Sequence, residues 1–105
     1  MLGEIKAKFA RRELEFSKHA LDQSIVRNIT TRQLFEAIKE AEVIEDYPDD
    51  KYGPSFLLLG FTASGRPLHI QCSYPSRPLL KIITIYEPEP ESRGGRNDPP
   101  DREEL

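Results

Sequence analysis

Three apolar runs separated by short breaks occupy residues 56–86, and they form the clearest pattern in the chain. The first break contains Ser64 and Gly65, and the second contains Pro75 and Pro78, which are residue types that favour turns. Connections this short can join antiparallel strands but cannot join parallel ones. The pattern therefore predicts a three-stranded antiparallel meander.

The middle strand of the meander alternates between apolar and polar side chains. One face carries Leu68, Ile70, Cys72 and Tyr74, and the other carries His69, Gln71 and Ser73. A period of two is typical of a strand that has one face against a core. The apolar face therefore predicts a covering layer, and the polar face holds one of the two histidines.

Helical spacing dominates the chain before residue 42. Apolar residues recur every three to five positions in residues 2–13, which predicts a first helix. Ser17 is a suitable N-cap for a second helix, and Asn28 is a suitable end for it, because asparagine tolerates a left-handed backbone. This second helix is expected to bury Ala20 and Ile25, with Leu21 as a further candidate.

A third helix is predicted to start at Thr30, because Thr30 and Gln33 have the spacing of a capping box. Residues 14–16 form a short segment that could be an edge strand, and residues 43–47 form a further β-like segment before a proline-rich loop. The order predicts an α+β domain with about four antiparallel strands and two to three N-terminal helices packed on one face of the sheet.

Composition sets the domain boundaries. The chain has 105 residues, of which 37% are hydrophobic and 31% charged, as expected for one soluble domain. We expect residues 1–88 to fold and residues 89–105, which are rich in proline, glycine and charge, to be disordered. No apolar run reaches the ~20 residues that span a bilayer, and the N-terminus lacks the apolar core of a signal peptide, so a cytoplasmic protein without a membrane partner is expected.

Few residues suit metal or cofactor binding. Cys72 is the sole cysteine, which excludes an internal disulfide and a cysteine-based zinc site. The acidic residues between positions 40 and 50 match no calcium loop, and no nucleotide-binding motif is present, so neither a metal nor a cofactor is expected. Residues 1–39 carry eight basic and five acidic groups, a net charge of +3, which is compatible with nucleic acid without indicating a tight binder.

A first candidate site lies on the second predicted helix. His19, Gln23 and Arg27 are spaced by four residues and therefore share one face. Arginine binds phosphate with two parallel hydrogen bonds, and histidine transfers protons near neutral pH, so this face suits an anionic ligand. Alternatively, His19 packs beside the start of the helix while Arg27 pairs with Glu36 or Asp22.

A second candidate site lies on the polar face of the meander. The last strand is expected to place either Lys81, or Thr84 and Tyr86, beside His69, depending on the register of the two strands. Such a group could act as a general acid and base. Alternatively, these residues form a solvated strand face without a function.

Longer blocks of sequence carry a resemblance beyond these spacings. FSKHALDQSIVRNIT, EVIEDYPDDKYGPSFLLLGFTASGRPLHIQ and IITIYEPEP occur in that order, and together they resemble domain-of-unknown-function family 4258 over about residues 14–90. The family is regarded as a relative of the RelE/MqsR-type toxins, in the barnase–EndoU–colicin–RelE group of small ribonucleases. The resemblance implies about four antiparallel strands with helices on one face, and metal-independent RNA cleavage by a ribose 2′-hydroxyl. It also implies a cognate antitoxin, a zinc-finger or helix-turn-helix protein, as a partner.

The family motifs assign individual residues. Catalytic roles are implied for His19, Arg27, His69 and Tyr86. RNA contacts are expected from Lys18, Gln23, Lys81 and Thr84, and no DNA partner is expected. Gln23 stands where the family commonly has arginine, and Asn28 stands where it commonly has glycine. The resemblance thus implies a metal-independent endoribonuclease of a toxin–antitoxin type system, and the alternative is a non-catalytic protein-interaction module of the same fold.

Overall fold

The structure is a computed structural model that describes residues 1–51 and 53–88. Within these residues the helices are α1 (Leu2–Ala10), α2 (Lys18–Val26) and α3 (Thr31–Lys39). The strands are β1 (Leu14–Phe16), β2 (Glu42–Tyr47), β3 (Ser55–Phe61), β4 (Pro67–Ser73) and β5 (Leu80–Tyr86). The disordered tail predicted for residues 89–105 lies outside the described residues. No helix in the described part of the chain is long and apolar enough to cross a membrane.

The strands form one mixed sheet in the order β1-β5-β4-β3-β2. The three pairs within β2–β5 are antiparallel, which confirms the meander. β1 joins the other side of β5 in parallel, with Leu14 opposite Leu80 and Phe16 opposite Ile82. The prediction of about four antiparallel strands is therefore wrong in number and in direction. Turn length constrains only strands that follow one another in sequence, whereas β1 and β5 are the first and last strands of the described residues.

Side-chain caps define the starts of α2 and α3 as the sequence predicts. The Ser17 hydroxyl accepts a hydrogen bond from the Ala20 amide at 2.9 Å. Thr30 and Gln33 form both hydrogen bonds of the capping box, at 3.0 and 3.1 Å. Asn28 follows α2 with φ at 58°, in the left-handed region where asparagine is tolerated. These three predictions are confirmed.

The helices cover one face of the sheet, and this layer holds the core. Buried side chains come from α1 and α3 on one side and from β3, β4 and β5 on the other; they include Ile5, Phe9, Leu34, Ile38, Leu58, Ile70 and Ile82. α3 lies close to β3 at Gly60, where a Cβ atom would overlap the carbonyl oxygen of Ala37. Glycine is therefore required at this position by the distance between the two elements.

α2 is turned differently from the sequence prediction. Ala20 is fully buried, but Ile25 is 76% exposed and Leu21 is 48% exposed, so their expected burial is wrong. The inner side of α2 is formed by Ala20 with the half-buried Gln23 and Arg27. Ile25 lies about 140° around the helix from Ala20, which directs it away from β5 and β1. Contact with a sheet edge buries only a narrow strip of this helix.

The second face of the sheet is also largely buried. His69, Gln71 and Leu57 have exposures of 6%, 1% and 0%, so the alternative of a solvated strand face is wrong. A β-bulge changes the register of β5 on this face. Gln71 lies opposite Thr84 while Cys72 lies opposite Ile82, which leaves Ile83 as the extra residue.

The bulge decides between the two registers that the sequence left open. A regular strand would direct Lys81 to one face and Thr84 and Tyr86 to the other, because side chains alternate. The extra residue of the bulge shifts this alternation by one position, so Lys81, Thr84 and Tyr86 lie on the same face. Tyr86 therefore lies opposite His69, and the Lys81 amide donates to the Ser73 hydroxyl at 3.0 Å on the same side of the sheet.

Candidate functional site

A pocket of about 400 Å³ opens on the second face of the sheet, beside the first turn of α2. Its polar lining comes from β1, the start of α2, the end of β4, the β4–β5 loop and β5. The side chains that concern the chemistry are Glu15, Ser17, His19, Ser73, Arg77 and Lys81. A volume of this size suits a ligand as large as a mononucleotide.

The floor of the pocket is a row of residues across three strands. Glu15 lies opposite Lys81 in the parallel pair of β1 and β5. Lys81 is joined to Ser73 of β4 by the hydrogen bond from its amide. Adjacent strands are about 4.8 Å apart, so a carboxylate, an ammonium group and a hydroxyl lie within roughly 10 Å along this row.

Ser17 ties the start of α2 to the bulge of β5. Its amide donates to the Ile82 carbonyl at 3.0 Å, and its hydroxyl donates to the Ile83 carbonyl at 2.8 Å. The same hydroxyl accepts the Ala20 amide as the N-cap of α2. His19 is two residues further along the chain, so the first turn of α2 brings its half-buried imidazole to the pocket wall.

The acidic and basic side chains that line the pocket are uncommitted, whereas the Tyr74 hydroxyl donates to Asp46 at 2.6 Å. Within the described part of the chain, Glu15, His19, Arg77 and Lys81 make no side-chain hydrogen bond or ion pair. Nearby Lys18 is instead paired with Asp22 at 2.9 Å. With histidine neutral, the two cations and one carboxylate of the pocket sum to +1. The pocket thus offers hydrogen-bond donors and positive charge to a ligand.

His69 and Tyr86 form a second group on the same face. The Nδ1 atom of His69 and the hydroxyl of Tyr86 are 2.9 Å apart, and the two rings meet edge to face with centroids 5.0 Å apart. Both side chains are buried, with exposures of 6% and 4%. Burial lowers the pKa of His69, so the neutral imidazole is favoured in the folded protein.

Arg27 is held at the end of α2 by neighbours other than those suggested by the sequence. Its Nε atom donates to the Gln23 side chain at 2.6 Å. The carboxylate of Glu36 accepts the Ala63 amide, and that of Asp22 accepts Lys18, so the alternative pairing of Arg27 with either acid is wrong. The Arg27 carbonyl accepts a hydrogen bond from Arg66 at 2.6 Å.

The predicted site residues therefore separate into two groups. His19 and Lys81 share the pocket, whereas Arg27, His69 and Tyr86 are absent from its described lining. Arg27 is eight residues beyond His19, which is about 12 Å along the helix axis. His69 is four residues from Ser73 along β4, or about 13 Å. Of the two histidines, His19 lines the pocket and His69 does not.

The remaining predicted RNA contacts lie outside the pocket lining. Lys18 is exposed and paired with Asp22, Thr84 is buried opposite Gln71, and Gln23 contacts Arg27. Sequence reasoning missed Glu15, Ser73 and Arg77. The only sequence signal for Glu15 was its polar side chain between the apolar Leu14 and Phe16. This signal points to the pocket only when the pairing of β1 with β5 is known. In the described residues no group of three or more potential metal ligands is positioned to hold an ion.

The family model described as Domain of unknown function (DUF4258) matches residues 16–87. No curated protein and no solved structure matches the chain. The matched segment contains α2, α3 and all described strands except β1. It therefore includes the polar residues of the pocket, apart from Glu15, and the His69–Tyr86 pair. A relationship with the RelE/MqsR-type toxins stays a prediction.

Proposed function

We propose, since the chain belongs to the DUF4258 family of domains of unknown function, that it is a metal-independent endoribonuclease whose active site is the pocket beside α2. The observation that carries this proposal is the convergence of Glu15, His19, Arg77 and Lys81 on one pocket while each remains uncommitted. RNA cleavage needs a base, an acid and positive charge at the phosphate, and these four side chains supply all three.

The proposed reaction uses the 2′-hydroxyl of RNA as the nucleophile. The Glu15 carboxylate takes the proton from this hydroxyl, and the 2′-oxygen forms a bond to the adjacent phosphorus. The bond between phosphorus and the 5′-oxygen breaks, and the protonated imidazole of His19 gives its proton to that oxygen. The products are a 2′,3′-cyclic phosphate and a 5′-hydroxyl. Lys81 and Arg77 stabilise the negative charge that develops on the phosphate oxygens.

The second group has a supporting role in this proposal. The mutual hydrogen bond and the burial of His69 and Tyr86 favour a structural function over contact with the scissile phosphate. Arg27 and Gln23 likewise stabilise the end of α2. The catalytic roles predicted for His69, Arg27 and Tyr86 are separable from that of His19 by mutation.

The test is cleavage of single-stranded RNA by the purified chain in the presence of a chelator. We expect cyclic or 3′-phosphate ends, and we expect His19→Ala to lower the rate roughly 10²–10⁴-fold, the usual contribution of one general acid. Lys18→Met is the matched control for Lys81→Met, because Lys18 is on the same helix turn as His19 but is paired outside the pocket.

Two results would contradict the enzyme proposal. One is a correctly folded wild-type chain that cuts no RNA after any bound protein has been removed. The other is a His19→Ala variant with unchanged activity while His69→Gln, with an equally intact fold, is inactive. The second result would move the active site to the His69–Tyr86 pair.

A non-catalytic interaction module is the second candidate, and the outer side of α2 favours it. Leu21, Ile25 and Val26 are exposed by 48%, 76% and 77%, and Leu21 and Ile25 lie one turn apart. Apolar residues in such a cluster are typical of a protein-binding helix. If the cognate antitoxin binds here, Ile25→Lys should abolish co-purification without lowering the melting temperature. Unchanged binding would contradict this candidate.

A further inference from the structure

We infer that the pocket beside α2 binds terminal 3′-phosphomonoesters more tightly than internal phosphodiesters. The inference rests on the proposed function, because it treats the pocket as the RNA site. It adds the class of ligand that this site prefers.

The first argument is the charge of the pocket. Lys81 and Arg77 contribute two positive charges, and Glu15 contributes one negative charge. A terminal phosphate carries a charge of about −1.5 to −2 at pH 7, whereas an internal phosphodiester carries −1. The attraction to a net positive pocket is therefore stronger for a terminal phosphomonoester than for an internal phosphodiester or a 2′,3′-cyclic phosphate, which is also a diester. Protonation of His19 would increase it further.

The second argument is the number of hydrogen bonds that each ligand can accept. Arg77 offers five N–H groups and Lys81 offers three, and neither side chain has a partner within the described chain. Ser73 accepts the Lys81 amide, so its own hydroxyl proton remains available for a ligand. A terminal phosphate has three unesterified oxygens and a diester has two, so the monoester uses more of these donors.

Among the described residues that line the pocket, Glu15 is the one acidic side chain, and its charge opposes the binding of an anion. A variant at this position therefore distinguishes binding from cleavage. The Glu15 carboxylate lies opposite Lys81 and is the base of the proposed reaction. Glu15→Gln keeps the shape of the side chain but removes its charge. We therefore expect this variant to lose cleavage and to bind a terminal phosphate several-fold more tightly.

The test uses ligands that cannot be cleaved. Binding of 2′-deoxyuridine 3′-monophosphate, its 3′-methyl phosphodiester and inorganic phosphate would be measured by calorimetry with the full chain at low salt. We expect the monoester to bind about tenfold more tightly than the diester, with the difference decreasing as salt increases. Lys81→Met and Arg77→Met should each weaken monoester binding about tenfold, while Lys18→Met should leave it unchanged.

Each outcome decides between the two proposals. Equal affinity for the two esters, or full monoester binding by Lys81→Met, would overturn the inference even if the chain cleaves RNA. Monoester preference in a chain that cuts no RNA would support the inference and overturn the enzyme proposal. Binding of inorganic phosphate as tight as that of the nucleotide would show that the site takes free phosphate rather than RNA ends.

Discussion

Arg66 joins four separate parts of the fold, and its removal should destabilise the protein strongly. It lies between β3 and β4, and its guanidinium donates to the carbonyl of Arg27 at 2.6 Å and to that of Asn28 at 3.0 Å. It also bonds Glu87, just after β5, at 2.9 Å and the Gln33 side chain at 3.3 Å. Arg66 thereby connects the end of α2, the start of α3 and the end of β5.

The magnitude follows from these contacts. Hydrogen bonds from a charged group contribute about 1.5–3 kcal/mol each, and the two carbonyl oxygens would lose a donor in Arg66→Met. The Glu87 pair is partly exposed, with side-chain exposures of 21% and 43%, so it adds about 0.2–1 kcal/mol. Water replaces some of the lost bonds. We therefore expect a loss of roughly 2–4 kcal/mol in the free energy of unfolding.

Urea unfolding followed by far-UV circular dichroism measures this loss. Glu87→Gln removes only the ion pair and should cost below about 1 kcal/mol, so the two variants separate the carbonyl contacts from the charge pair. Lys18→Met is a further control, because it breaks an exposed pair that holds no other element. A loss below about 1 kcal/mol for Arg66→Met would refute the reasoning.

Three further predictions concern buried groups. Burial lowers the pKa of His69 below the ordinary histidine value of 6.5, so in mildly acidic solution the unfolded chain takes up a proton that the folded chain does not. The free energy of unfolding should therefore fall from pH 7 to pH 5. In urea unfolding, His69→Gln should make this dependence on pH weaker. If His69→Gln leaves the dependence of stability on pH unchanged, that dependence arises from other titratable groups. Burial raises the pKa of Cys72 to about 12, so a thiol reagent at pH 8 should label the folded chain only after unfolding; rapid labelling of native protein would contradict the buried placement. Gly60→Ala should cost roughly 1–3 kcal/mol in thermal or urea unfolding, because a Cβ atom overlaps the Ala37 backbone. Gly3→Ala in α1, where an added Cβ atom meets nothing within 4 Å, is its control.

The family assignment and the local chemistry bear differently on function. The match over residues 16–87 contains His19, Lys81 and Arg77 but begins at the residue directly after Glu15. The proposed base, Glu15, therefore lies outside the segment that the family model covers. It reaches the pocket because β1 pairs with β5.

The sequence by itself determined the features that depend on neighbouring residues. The caps at Ser17 and Thr30, the left-handed turn at Asn28 and the meander of β3–β5 were all predictable. Each arises within a few residues, from a side chain bonding a nearby amide or from alternation along a strand. Such interactions carry their full information in a short window of sequence.

Only the tertiary structure decided the parallel position of β1, the outward turn of Ile25 and the composition of the pocket. Ser17 and Ile83 are 66 residues apart, yet their hydrogen bond helps to place His19 over β5. One extra residue in β5 decides which side chains share the Lys81 face. The pairing of an edge strand and the position of a β-bulge depend on contacts between residues that are far apart in sequence. The periodicity of a single segment carries no information about such distant partners.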